Sequence, residues 1–164
     1  FNRRVKENGL PKAGVMIEVP AAALRSEHIL AEVEFGSLGT NDLGQYTMAA
    51  DRMQGELADL LDPWQPAVLD VIAAACLGAA RTGRPMGVCG EAGGDPLLAL
   101  VLAGLGVTSL SMAPAKVPVV RLALSMHSYP ECQRLAAVAR AARTARDALD
   151  AVREEANREL VDIL

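Results

Sequence analysis

Glu18, the pair Asn41–Asp42 and Cys89 each stand just after a short apolar run, and each carries a side chain able to do chemistry. A carboxylate closing an apolar strand needs a partner, because burying it alone is costly. Glu18, which follows Val15-Met16-Ile17, reads either as a salt-bridged rim residue or as an oxygen ligand for a hard divalent cation. In the second reading Asp42 supplies the other carboxylate. Mg2+ takes one or two protein carboxylates and fills its remaining positions with water and substrate phosphate.

Asn41 and Asp42 follow Ser37-Leu38-Gly39-Thr40 and open a helical pattern. Either can cap that helix. The same helix start can also receive a phosphate on its backbone N–H groups, and the Asn41 amide can bond a phosphoryl oxygen. Arg52 lies about three helical turns beyond Asp42, too far to reach back along one straight helix. It therefore sits at a bend or faces solvent.

Cys89 is bracketed by glycines in Gly87-Val88-Cys89-Gly90-Glu91-Ala92-Gly93-Gly94-Asp95, which lets backbone and ligand come close. An ordinary thiol, with a pKa near ~8.5, is protonated at neutral pH and can give a proton to an enolate carbon. Glu91 reads as orienting this loop or tuning the thiol. Cys76 and Cys132 read as inert buried cysteines, and His28 and His127 as helix-surface residues without metal-ligand spacing. No phosphate-binding G-x-x-x-x-G-K-[ST] segment occurs.

The elements that must hold these groups alternate. Gly14–Ile17, Phe35–Leu38, Met86–Val88 and Thr108–Ser111 read as buried parallel strands, each followed by a turn signal and a helical pattern. Helices are expected after Pro20, over 45–61 and 67–80, from Asp95-Pro96 to about Gly104, and from Pro114 to about Met126. From Glu131 the chain becomes a polar, Arg-rich helix or helix pair with sparse apolar residues, expected to pack on one face. In such α/β architectures ligands bind at the carboxyl ends of the strands, where Glu18, Asn41–Asp42 and Cys89 stand.

The 164 residues allow one domain with a real core but fall short of the roughly 250 of a closed (β/α)8 barrel. Hydrophobic residues make up 51% and aromatics only 3%, so the core must come from Ala, Leu and Val. A net charge of −4 offers no general attraction to nucleic acid or anionic membrane. No apolar run reaches the ~20 residues of a membrane span, so a cytoplasmic protein without membrane insertion is expected. Three cysteines with no C-x-x-C pair argue against a disulfide framework or structural zinc. The chain opens on Phe1 without signal-peptide character, as expected of a piece of a longer protein.

Three blocks, Met16-Ile17-Glu18-Val19-Pro20, Ser37-Leu38-Gly39-Thr40-Asn41-Asp42 and Cys89-Gly90-Glu91, together resemble the PEP-utilising enzymes. Gln45-Tyr46-Thr47, Ala50-Asp51-Arg52 and Asp62-Pro63-Trp64-Gln65-Pro66 are most similar to the enzyme I branch, the phosphoenolpyruvate-protein phosphotransferases of sugar uptake. Pyruvate phosphate dikinase and PEP synthase share the three blocks and stand as the alternative, and a non-catalytic interaction module as a third. Gly44 departs from the polar residue expected there. The resemblance implies that Glu18 and Asp42 bind Mg2+, that Asn41, Asp42 and Arg52 hold PEP, and that Cys89 protonates the enolate to give pyruvate. It also implies an α/β fold that is the C-terminal half of a (β/α)8 barrel, with about four βα units over 1–127 and a helical extension over 128–164. The first half of the barrel and the N-terminal phosphohistidine domain would lie outside this chain, leaving the chain inactive alone. A histidine-containing phosphocarrier protein is the implied partner of the whole enzyme. A homodimer or self-associating half barrel is the implied assembly.

Overall fold

The computed structural model describes residues 12–164. The short apolar runs pair as β1 (Gly14–Ile17), β2 (Phe35–Gly39), β3 (Met86–Cys89) and β4 (Ser109–Leu110). They form one sheet in the order β1-β2-β3-β4, with every neighbouring pair parallel. Parallel neighbours need crossover connections, and helices supply them. These are α1 (Pro20–Leu24), α2 (Ser26–Ala31), α3 (Thr40–Met48), α4 (Pro66–Thr82) and α5 (Pro96–Gly104), and α6 (Val117–Ser125) follows β4. Then follow α7 (Tyr129–Ala141), α8 (Ala145–Glu155) and α9 (Arg158–Ile163). Pro20, Pro66, Pro96, Pro118 and Pro130 all fall in a helix first turn, where the missing N–H has no intrahelical partner to lose.

Two expectations need correction. The segment 45–61 is not one helix: α3 ends at Met48, where Ala49 turns left-handed at φ 51°, and Gly55–Leu61 is a 3-10 helix with no buried residue. Without an apolar face to bury, a longer α-helix there would gain little from packing. Neither Asn41 nor Asp42 caps α3, since the helix already starts at Thr40 and places both in its first turn. Helix α5 does start at Asp95-Pro96 as expected, and Asp95 caps it. The Arg-rich C-terminal stretch divides into α7, α8 and α9, which bury Leu135, Val152 and Leu160 and leave their polar sides outward.

The core lies on one side of the sheet. Ile17, Leu38, Met86 and Val88 point into it, to meet Leu30, Leu69, Ile72 and Leu98 from the helices. Helix α5 is buried from Leu97 through Leu102, because α6 and α7 cover its outer side. The other face carries Met16, Ser37, Gly87 and Ser109 as one row across the four strands. Met16 is 54% exposed there, and a groove of about 530 Å3 runs past Ser37, Gly87 and Ser109. Among the described residues, helices thus cover one face of this sheet, whereas parallel sheets are ordinarily covered on both.

Candidate active site

Register decides which side chains meet. Ile17 stands beside Leu38, and Gly39 beside Cys89, so β1, β2 and β3 end level with one another. One residue past β1, Glu18 folds its side chain across Gly39. A Cβ at Gly39 would lie 3.0 Å from both the Cβ and Oε2 of Glu18. Glycine at this position is what leaves room for the carboxylate.

On the other side of β2, the Cys89 thiol donates to the Leu38 carbonyl at 3.3 Å. Cys89 is partly exposed, while Cys76 and Cys132 are buried as expected. Burial pushes the Cys76 thiol up to about 12. Burial, with the Glu131 carboxylate adding to it, also raises that of Cys132. Thr40 Oγ1 donates to the Cys89 carbonyl at 3.3 Å. Gly90 adopts φ 117°, a conformation open to glycine, and Asn41 Oδ1 lies 3.4 Å from where its Cβ would be. The Asn41 amide therefore stands next to the Cys89–Gly90 turn.

The bend at Ala49 answers the question of Arg52. Ala50 N–H donates to the Gln45 carbonyl, and Arg52 N–H to Gln45 Oε1 at 3.2 Å, folding the segment back along α3. The Arg52 guanidinium then reaches Asp42 Oδ1 at 3.6 Å. With the arginine side chain 54% exposed, this ion pair is weakly held and can be exchanged for another anion.

Glu18, Asn41, Asp42, Arg52 and Cys89 are thus gathered at the carboxyl end of the sheet. Glu91 is exposed on the turn after Cys89 and edges a cavity of about 100 Å3 shared with Thr40, Asn41 and Asp62. Among the described residues no group of three or more His, Cys, Asp or Glu could hold a metal ion alone. Glu18 and Asp42 are both half-buried, and a cation held by only two carboxylates completes its shell with substrate oxygens and water. His28 is exposed on α2, as expected. His127 is instead half-buried, with Nδ1 against the Ala123 carbonyl at 2.9 Å and Nε2 accepting from Asn157 N–H at 3.0 Å. It links α6 to the start of α9 and lies outside the site.

The family described as PEP-utilising enzyme, PEP-binding domain, matches residues 1–129. This chain belongs to the PEP-utilising enzymes. It is 56% identical over 143 residues to a phosphoenolpyruvate-protein phosphotransferase of Streptomyces coelicolor, covering 87% of this chain and 26% of that relative. It is 46% identical over 123 residues to a multiphosphoryl transfer protein of Xanthomonas campestris, covering 75% and 15%. Against a phosphoenolpyruvate-protein phosphotransferase of Haloferax volcanii it is 43% identical over 129 residues, covering 79% and 23%. The chain spans about a quarter or less of the length of these PEP-utilising relatives.

Three residues next to the turn after Cys89 carry no functional signal in the sequence. Thr40 stands within a motif that gives it no role of its own. Trp64 and Asp95 read only as part of a chain break and a helix start. Their contact spans 31 residues of sequence, beyond the reach of any local pattern.

Proposed function

We propose that this chain is the C-terminal half of the PEP-binding (β/α)8 barrel of a phosphoenolpyruvate-protein phosphotransferase. In this reading, residues 1–127 supply four βα units and 128–164 a helical extension. The rest of the barrel and the phosphohistidine domain lie elsewhere in a longer cytoplasmic protein. The carrying observation is the level row at the strand ends, with Glu18 across Gly39, Cys89 beside it, and Asn41, Asp42 and Arg52 at the start of α3.

Each residue then has a task. Asn41 and Arg52 hold the PEP phosphate, with Arg52 leaving Asp42 to do so. Glu18 and Asp42 would hold Mg2+, which when bound spreads the charge on the phosphoryl and enol oxygens. The bond between phosphorus and the enol oxygen breaks as one forms to an enzyme histidine nitrogen. The Cys89 thiol gives its proton to the methylene carbon of the enolate, yielding pyruvate, and the thiolate is reprotonated from solvent. In support, the Cys89 thiol stands as a hydrogen-bond donor toward the Leu38 carbonyl. A histidine-containing phosphocarrier protein accepts the phosphoryl group in turn, for sugar uptake.

The test follows labelled phosphate from PEP in the intact protein with Mg2+. Label should pass to an enzyme histidine and then to a small carrier protein. Cys89→Ser should lower pyruvate formation by about a hundredfold or more, the range for loss of a general acid. Undiminished turnover in that variant would refute the role of Cys89. ATP formed from AMP and pyrophosphate would instead make the protein a dikinase.

A further inference from the structure

The loop from Cys89 to Asp95 contains Gly90, Gly93 and Gly94 and only a 3-10 turn over Glu91–Gly94, so its own backbone does little to fix it. Side chains from elsewhere hold both of its ends. At the start, the Thr40 hydroxyl donates to the Cys89 carbonyl and packs so tightly on Gly90 that a Cβ there would come within 2.7 Å. Thr40 is buried, which is unusual for a polar side chain at a strand end.

At the far end, Asp95 accepts three hydrogen bonds. Its Oδ1 takes Leu97 N–H and Leu98 N–H at 2.9 and 3.1 Å, and its Oδ2 takes the Trp64 indole Nε1–H at 3.1 Å. Trp64 is 3% exposed, and its own backbone N–H is held by Asp62 Oδ1 at 2.9 Å. A buried indole has one donor and needs an acceptor, so Asp95 ties the loop end to a buried side chain. Capping α5 needs only one oxygen. The second oxygen, turned to Trp64, is what an asparagine could not offer without setting an NH2 group against the indole N–H.

We propose that Thr40 and the Trp64–Asp95 pair are positioning residues for Cys89, clamping its loop at both ends so that the thiol is aimed across the strand-end row. This rests on the reading of Cys89 as proton donor. A general acid displaced by a fraction of an ångström loses most of its advantage, so slack in a glycine-rich loop matters.

Thr40→Val, Thr40→Ser, Trp64→Phe, Asp95→Asn and the Trp64→Phe/Asp95→Asn double variant in the intact protein test the clamp. Three quantities are read: kcat and KM for PEP, the pH profile of Cys89 alkylation followed by peptide mass, and Tm as a folding control. Thr40→Val should lower kcat by about tenfold with KM changed less than about twofold, and should alter the alkylation profile. Thr40→Ser should restore most of both. Trp64→Phe should act in the same direction, and the double variant should lose no more than Asp95→Asn alone. If Trp64→Phe fails to fold, Asp95→Asn, which leaves the indole packed, carries that half of the test. Wild-type kcat and alkylation in Thr40→Val and Asp95→Asn would overturn the proposal. So would a loss of kcat that Ser does not rescue and that leaves alkylation untouched. If Cys89→Ser keeps full turnover while Thr40→Val still changes alkylation, the clamp stands and the proton-donor reading falls.

Discussion

Cys89 differs from the other two cysteines in where its chain segment ends. It sits at the last position of β3 beside a strand-end glycine, whereas Cys76 faces the core from α4 and Cys132 faces α5 from α7. In the native protein a thiol reagent at neutral pH should therefore label Cys89 first, with Cys76 and Cys132 reacting only on unfolding. Equal labelling of all three would refute this arrangement of the core. The raised Cys76 value also predicts a pH dependence. Its folded-state value is about 12 against an ordinary 9.0, so the native state binds the extra proton between them. The stability it contributes is fully present below about pH 9 and is lost as pH rises toward 12. Cys76→Ala should flatten the alkaline limb of a denaturation-versus-pH curve.

Two helix glycines should respond oppositely to one methyl group. Gly44, in the middle of α3, has nothing within 4 Å of the place a Cβ would take, and it borders the cavity by Thr40 and Asn41. Gly44→Ala should raise stability by about 0.5–1 kcal/mol, the cost of glycine in a helix interior. Gly104, at the end of α5, has the Cys132 backbone carbonyl where its Cβ would go. Gly104→Ala must push α5 and α7 apart and should cost about 1–3 kcal/mol. Urea denaturation of the two variants decides the signs. Glycine in place of the polar residue expected at position 44 leaves helix α3 intact while opening space beside Asn41.

Among the described residues the sheet has two unpaired edges, β1 and β4, and helices over one face. If the chain is half of a closed barrel, the missing strands would pair with both edges and their inward residues would fill the row of Met16, Ser37, Gly87 and Ser109. Expressed alone, the chain should self-associate to cover these surfaces, as read by sedimentation across a range of concentrations. A monomer at all concentrations with slowly exchanging edge amides would contradict the half-barrel proposal. Among the described residues no single helix is long and apolar enough to cross a membrane.

Sequence alone pointed to the four strands, to helix starts at Pro20 and Asp95-Pro96 and one just after Pro66, and to five residues that the structure brings to one end of the sheet. Those features are local: apolar runs, fixed proline φ, and side chains at strand ends. The family resemblance also placed Arg52 in the site, against what spacing along a straight helix would allow. Only the tertiary structure showed how. A left-handed turn at Ala49 ends α3 early, and the guanidinium folds back on Asp42. It likewise decided that Asn41 and Asp42 leave the capping role, because the strand runs directly into the helix at Thr40. The Thr40–Cys89 and Trp64–Asp95 contacts lie beyond any local pattern, joining residues 49 and 31 positions apart. Parallel register and a buried indole create them, and both exist only after the elements have packed.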